Sequence, residues 1–291
     1  MSAESRYALV VGESLVDVVH ARDGSVTERP GGSAANVAVA LARLGRPVRF
    51  VTSWADDARG RLVAAHLAGS AVELATDPLV LARTSSAVAT IAEDGSASYA
   101  FDLDWRFAPV GPETPSFVHV CSLGAVLAPG AADVLTLVQR YAASALVSYD
   151  VNARPAITGT GPDVVRRTEA VAAHAHLVKA SDEDLAALYP ALGLEAAAHH
   201  LRSLGPRAVV VTRGGEGALW FGPDGVVTGA AVQVEVADTI GAGDTFSAAI
   251  LDGLWDRPDR PVQEVLAHAA QAAAVTVSRP GADPPYRAEL V

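Results

Sequence analysis

The chain predicts an α/β fold: a mostly parallel central sheet covered by helices on both faces, with a small β-sheet set apart from it. Three observations carry this. Short apolar runs alternate with helix-length stretches through most of the 291 residues. Several of those runs, such as Ala145-Leu146-Val147-Ser148-Tyr149 and Ala208-Val209-Val210-Val211, are apolar throughout, as strands buried on both faces require. Two hairpin patterns early in the chain break the alternation.

In order, Tyr7-Ala8-Leu9-Val10-Val11-Gly12 reads as a buried first strand closed by glycine. Residues 15–19 and 26–29 form the first hairpin pattern, joined through Arg22-Asp23-Gly24-Ser25. Residues 87–93 and 96–102 form the second, around Asp94-Gly95. Strands are expected near 48–53, 72–75, 117–121, 145–150, 175–179 and 208–212. Helices are expected near 33–44, 58–69, 131–144, 162–173, 182–189 and 195–204, with later ones near 244–255 and around 269–272. One domain over residues 1–291 follows, with the hairpin segments at about 13–30 and 85–106. In open parallel sheets ligands bind beyond the carboxyl ends of the strands, so the polar residues just after each strand are the ones to examine.

Half of the residues are apolar, enough for one large core. With 22 basic against 33 acidic residues and a net charge of −11, the whole-chain balance predicts neither a nucleic-acid nor a membrane partner. Lys179 is the only lysine, so 21 of the 22 basic residues are arginine. That excludes a Walker A Gly-Lys pair. Cys121 is the only cysteine, which excludes an intrachain disulfide and a cysteine-based zinc cluster. The first residues lack a basic segment followed by an apolar core, and no stretch of about 18 uncharged apolar residues occurs. A cytoplasmic location is the expectation.

The densest signal is Asp238-Thr239-Ile240-Gly241-Ala242-Gly243-Asp244-Thr245-Phe246, at the entry to an apolar helix. Gly241, Ala242 and Gly243 are small enough for the backbone to approach a phosphate, and the helix start offers N–H groups and a positive dipole end. A carboxylate beside a phosphate is repulsive unless it handles a proton, so Asp244 is expected to accept the hydroxyl proton of an acceptor alcohol. An ordinary helix start would also favour aspartate here. A second run upstream decides between them: Gly31-Gly32-Ser33-Ala34-Ala35-Asn36-Val37-Ala38, continuing to Gly45.

Together these two runs closely resemble the signature segments of the ribokinase-like sugar kinases, the PfkB family, and the length and order of elements are similar from end to end. The resemblance implies a ribokinase-like three-layer core with a small β-sheet lid made by the early hairpins. It implies transfer of the γ-phosphoryl of ATP, with Mg²⁺, to a hydroxyl of a small sugar, with Asp244 as base beside Gly241, Ala242 and Gly243. Asp17, Gly31, Gly32 and Asn36 then fall at sugar-binding positions. Asn36, one turn into its helix, can both donate to and accept from a diol. The Asp150-Val151-Asn152-Ala153-Arg154 run looks most like the fructokinase branch, which places Asn152 and Arg154 against substrate or transferring phosphate.

On the donor side, Lys179 is expected to neutralise phosphate charge, or else to extend outward from the end of its strand. Thr212, Gly214 and Gly217 resemble the turn bordering ATP, and Gln271 lies in the segment that resembles the adenine cover. Ser181 and Asp184 have the spacing of family residues near the magnesium waters, although Ser181 also reads as a helix N-cap with Asp184 in capping-box position. Asp238, Ile240, Ser278 and Gly281 match loops that hold a monovalent cation, K⁺, in relatives. Fructose is the expected acceptor. The alternatives are 2-keto-3-deoxygluconate or ribose, a catalytically silent sugar-binding relative, or a plain nucleotide-binding domain with a partner-binding lid. The segment Phe101-Asp102-Leu103-Asp104-Trp105-Arg106 is expected to choose the sugar, and pairing of two copies through the lid edges is a further expectation.

Overall fold

The structure is a computed structural model describing residues 6–92 and 97–290. The chain opens with β1 (Ala8–Val11), β2 (Leu15–His20), β3 (Val26–Gly31), α1 (Ser33–Arg43), β4 (Val48–Val51), α2 (Ala58–Gly69) and β5 (Glu73–Leu74). Then come β6 (Ser86–Ile91), β7 (Ala97–Asp102), β8 (Phe117–Cys121), α3 (Ser122–Val126), α4 (Gly130–Tyr141), β9 (Leu146–Asp150), α5 (Pro155–Thr158) and α6 (Pro162–Ala172). It closes with β10 (Leu177–Ser181), α7 (Asp182–Leu188), α8 (Leu194–Ser203), β11 (Ala208–Thr212), β12 (Ala218–Gly222), β13 (Gly225–Gly229), α9 (Ala242–Leu254) and α10 (Val262–Val277).

Among the described residues the strands form two sheets. The larger has nine strands in the order β13-β12-β11-β10-β9-β8-β1-β4-β5. From β5 to β11 every pairing is parallel, and β12 and β13 add an antiparallel edge. Its strands are apolar because both faces are covered. Leu9 and Val11 of β1 point into a core shared with α4, α6, α7 and α8, while Ala8 and Val10 point into a second core with α1, α2 and α9. Phe117 and Trp255 stack at a centroid distance of 4.6 Å within that second core.

The smaller sheet has the order β3-β2-β6-β7. Each early hairpin is antiparallel within itself, and a parallel β2–β6 ladder, with Asp17 opposite Ala87, joins them. The turn expected at Asp94-Gly95 lies outside the described residues. Trp105, placed by sequence in the sugar-choosing segment, is fully buried and donates Nε1–H to the Gly124 carbonyl at 3.0 Å, while Arg106 is tied to Asp104 at 2.9 Å. In the structure Trp105 is therefore an anchor between this segment and the main core. Among the described residues no helix is long and apolar enough to cross a membrane.

Candidate active site

Asn36, Asn152, Lys179 and Asp244, all singled out by sequence, come together where the carboxyl ends of β1, β8, β9 and β10 meet the start of α9. Asp244 stands in the first turn of α9, 5% exposed. Gly241 caps that helix at φ 77°, a left-handed conformation that suits glycine, and an added Cβ would sit 2.7 Å from Ala282 Cβ. Nothing inside the helix accepts from the first-turn N–H groups of Gly243 and Asp244, which leaves them for an anion.

The Asp244 carboxylate is held at both oxygens. Ser33 Oγ donates to Oδ1 at 2.6 Å, Asn152 Nδ2 to Oδ1 at 3.4 Å, and Asn36 Nδ2 to Oδ2 at 2.8 Å. Burial pushes the Asp244 pKa up, the Ser33 and Asn36 hydrogen bonds oppose it, and the net direction is upward, toward a stronger base. Ser33 and Asn36 lie in the first turn of α1, whose entry is set by Gly31 and Gly32; Gly31 packs directly against the Asp17 carboxylate. Asp17 is half-buried on β2, and burial raises its pKa against the pull of Arg154. Arg154, exposed in the loop after β9, donates to Asn152 Oδ1 at 2.6 Å.

Lys179 does not extend outward. It is 5% exposed, with Nζ 2.9 Å from Asp150 Oδ2 and 2.9 Å from the place a Gly243 Cβ would take. Burial works against the ammonium, but Asp150 above all, then Asp184 and Asp244, hold its pKa above the usual lysine value. Asp150 Oδ2 also accepts from Ser247 Oγ at 2.9 Å.

Glu13, just past β1, escaped the sequence reading. It is 5% exposed and accepts the Gly124 N–H at 2.9 Å. Burial pushes it up to about 7, with its own and the Gly124 N–H and Arg154 opposing and Asp244 adding. Ser33 was quoted in the motif without a role. Only a contact 211 residues away in sequence shows what its hydroxyl does.

On the other side of the α9 start lies a cavity of about 310 Å³. Thr212, Gly214 and Gly217 line one wall, Ala242 and Gly243 its end, and Ala270 of α10 another wall. Among the described lining residues none is charged. Gln271 is not part of this lining. The lining face of α10 runs through Leu266, Ala270, Ala273, Ala274 and Val277, and a neighbour one residue on is rotated about 100° away.

Ser181 and Asp184 form a complete capping box at the start of α7, with Ser181 Oγ accepting from Asp184 N at 3.0 Å. Asp184 Oδ2 accepts Ser181 N and Oδ1 accepts Ala153 N, each at 2.8 Å. Both carboxylate oxygens thus carry backbone donors, which suits contact with a hydrated cation through water rather than direct ligation. Asp238 joins two loops: Oδ1 accepts Ile240 N at 3.0 Å and Oδ2 accepts Gly281 N at 2.9 Å, and its pKa falls chiefly through the Ile240 bond. Ser278 is exposed, and its hydroxyl donates to the Val275 carbonyl at 2.8 Å.

Residues 5–289 match the pfkB family carbohydrate kinase profile. The chain is 34% identical over 260 residues to a fructokinase of Rhizobium leguminosarum bv. trifolii, covering 84% of this chain and 79% of the relative. It is 29% identical over 289 residues to an aminoimidazole riboside kinase of Salmonella typhimurium, covering 94% of this chain and 89% of the relative. Among solved structures, a fructokinase of Xylella fastidiosa with bound ATP superposes at a TM-score of 0.83, with 26% identity, covering 96% of this chain and 94% of that one. The Salmonella enterica aminoimidazole riboside kinase, complexed with aminoimidazole riboside and an ATP analogue, gives 0.82 at 28% identity, covering 95% of each chain. The chain belongs to the pfkB family of carbohydrate kinases and is fructokinase-like.

Proposed function

We propose that this sugar kinase transfers the γ-phosphoryl of ATP to a primary hydroxyl of fructose, with Asp244 as the general base. The observation that carries the reading is the position of Asp244: a buried, desolvated carboxylate at a helix start, between an uncharged cavity and a cluster of sugar-type hydrogen-bonding groups. The cavity walled by Thr212, Gly214 and Gly217 receives the nucleotide. Asp17, Gly31, Gly32 and Asn36 receive the sugar, under a lid formed by the small sheet.

Asp244 takes the proton as the sugar oxygen forms its bond to the γ-phosphorus and the bond to the β-bridging oxygen breaks, releasing ADP. The N–H groups of the Gly241 to Asp244 turn hold the equatorial oxygens, and Lys179 beneath Gly243 and Arg154 supply positive charge. Ser181 and Asp184 would hold the water shell of Mg²⁺, which when bound would supply neutralisation of phosphate charge. The loops tied by Asp238, near Ile240, Ser278 and Gly281, are the place for a monovalent cation.

Fructose is favoured over ribose and 2-keto-3-deoxygluconate by the fructokinase relatives and by the Asn152 to Arg154 segment. The aminoimidazole riboside kinase relative supports a nucleoside as second candidate. The deciding experiment measures ADP release with MgATP over fructose, ribose, 2-keto-3-deoxygluconate, glucose, adenosine and aminoimidazole riboside. Fructose should give the highest kcat/KM, and a preference for any other acceptor overturns the substrate assignment. The small sheet also suits a second copy of the chain, since β7 is an edge strand bearing Tyr99, 65% exposed and stacked on Phe101. Sedimentation should give a dimer that Tyr99→Lys weakens, and a monomer at all concentrations removes this part of the reading.

A further inference from the structure

The polar side chains leading to Asp244 are joined in one direction. Arginine has only donors and an ionised carboxylate only acceptors, so a hydrogen-bond chain strung between them has a forced polarity. Arg154 Nη1 donates to Asn152 Oδ1 at 2.6 Å. That commits the amide oxygen to the arginine, and Asn152 Nδ2 donates to Ser33 Oγ at 2.8 Å. Ser33 directs its one hydroxyl proton to Asp244 Oδ1 at 2.6 Å. The chain begins at an exposed guanidinium and ends at a buried carboxylate.

The backbone is bent to hold this arrangement. Asn152 has φ 36°, in the left-handed region, and its carbonyl accepts from Ser122 Oγ at 3.0 Å; Ser122 is itself at φ 49°. Non-glycine residues keep such conformations only where their surroundings impose them.

On the reading that Asp244 is the base, we infer that Ser33 and Asn152 are positioning residues forming a directional relay, through which the substrate-facing Arg154 sets the proton affinity of Asp244. Among the described residues Oδ1 has two donors and Oδ2 one, Asn36, so the relay fixes one oxygen and leaves the other as the seat for the acceptor's proton. Each donor to a carboxylate favours its ionised form, so the intact relay holds the base weaker than burial alone would make it. The other titratable groups facing Asp244 are Glu13 beyond β1, Cys121 on β8, Asp150 on β9 and Lys179 on β10. Of these only Cys121 touches the relay, its thiol sharing a hydrogen bond with the Ser33 side chain; Glu13, Asp150 and Lys179 keep their contacts when Ser33 is changed.

The test uses the full-length chain with ¹³Cγ-labelled aspartate, without substrates. The Asp244 resonance is identified by its loss in Asp244→Asn. Ser33→Ala should raise the Asp244 titration midpoint by about one pH unit, the size expected for one charge-assisted hydrogen bond. The acid limb of kcat/KM for ADP release should move upward with it, and Ser33→Thr, which keeps the hydroxyl, should restore both. Arg154→Met should raise the midpoint as well, and by clearly less when Ser33 is already Ala, since only the longer direct bond from Asn152 Nδ2 at 3.4 Å then carries its effect. An unmoved midpoint in Ser33→Ala, or additive shifts in the double variant, overturns the relay. Full turnover in Asp244→Asn would instead sink the base assignment on which the relay rests, so the two failures are distinguishable.

Discussion

Glu13 and Lys179 are both nearly inaccessible ionisable groups beside Asp244, and their neighbours treat them oppositely. Lys179 has a partner, Asp150, at 2.9 Å, and Asp150 Oδ1 has no hydrogen-bond partner of its own. Removing the ammonium leaves a buried carboxylate uncompensated, so Lys179→Met should destabilise the chain by about 3–5 kcal/mol in urea unfolding. An effect under about 1 kcal/mol would show that the pair is not buried as described. Among the described residues no cation forms an ion pair with Glu13, and burial pushes it up to about 7 from 4.5. Because the folded-state value is the higher one, its contribution to stability is full below pH 4.5 and is lost as pH rises through 7. At about 1.4 kcal/mol per pH unit this loss is roughly 3 kcal/mol. Glu13→Gln, which can still accept from Gly124, should therefore be more stable than the parent at pH 8 by about that amount, with the advantage fading by pH 4.5. A difference that does not change with pH would contradict this. Asn36 was legible because asparagine is mildly unfavourable inside a helix, and Asp244 and Arg154 because they stand in runs that resemble the motifs of the family. Glu13 was not, because a Gly-Glu pair after a strand looks like any solvated strand end until the fold buries it.

At the far end of α9 from Asp244, Asp252 joins four separate parts of the chain. It accepts from Arg46 Nε at 2.5 Å, Arg287 Nη2 at 2.5 Å and His268 Nε2 at 2.8 Å. Burial raises the Asp252 pKa, but the bonds from His268, Arg46 and Arg287 outweigh it and bring it down to about 2. With the folded-state value depressed, its stabilisation is present above the unfolded carboxylate range and is lost as pH falls through about 2. Asp252→Ala should cost about 1.5–3 kcal/mol, since it removes the charge-assisted hydrogen bonds to His268 and Arg287 while Arg46 keeps Asp256 at 2.8 Å, and it should flatten the acid limb of the stability curve. Loss of ADP-forming activity without loss of stability would contradict this purely structural role. Local periodicity foretold α1, α2, α6 and α8 almost to the residue, and the central strands as well. The parallel β2–β6 ladder was not legible, because nothing local in either hairpin specifies a partner about 70 residues away. The same limit applies to Trp105, whose place is set by its bond to Gly124 rather than by its own segment.

Over the whole molecule, the first hairpin, two helix starts and the strand ends beside them bring the candidate site together in a chain of net charge −11. That charge offers no general attraction for ATP, so on the proposed reading binding rests on local donors: the α9 turn, Lys179 and Arg154. The two signature runs, some 200 residues apart, foretold that site, and the fold brings Ser33 and Asn36 against Asp244 within hydrogen-bond distance. The lining of the cavity beside the α9 start was only partly foreseen, because Gln271 sits one position off the face of α10 that meets it.

The account stands most directly on one comparison: ADP release from MgATP and fructose by the parent chain and by Asp244→Asn, with fructose affinity measured calorimetrically in both. Loss of a general base predicts a fall in kcat of about 10²–10⁴ or more at nearly unchanged fructose affinity. Equal turnover in the two proteins would contradict it.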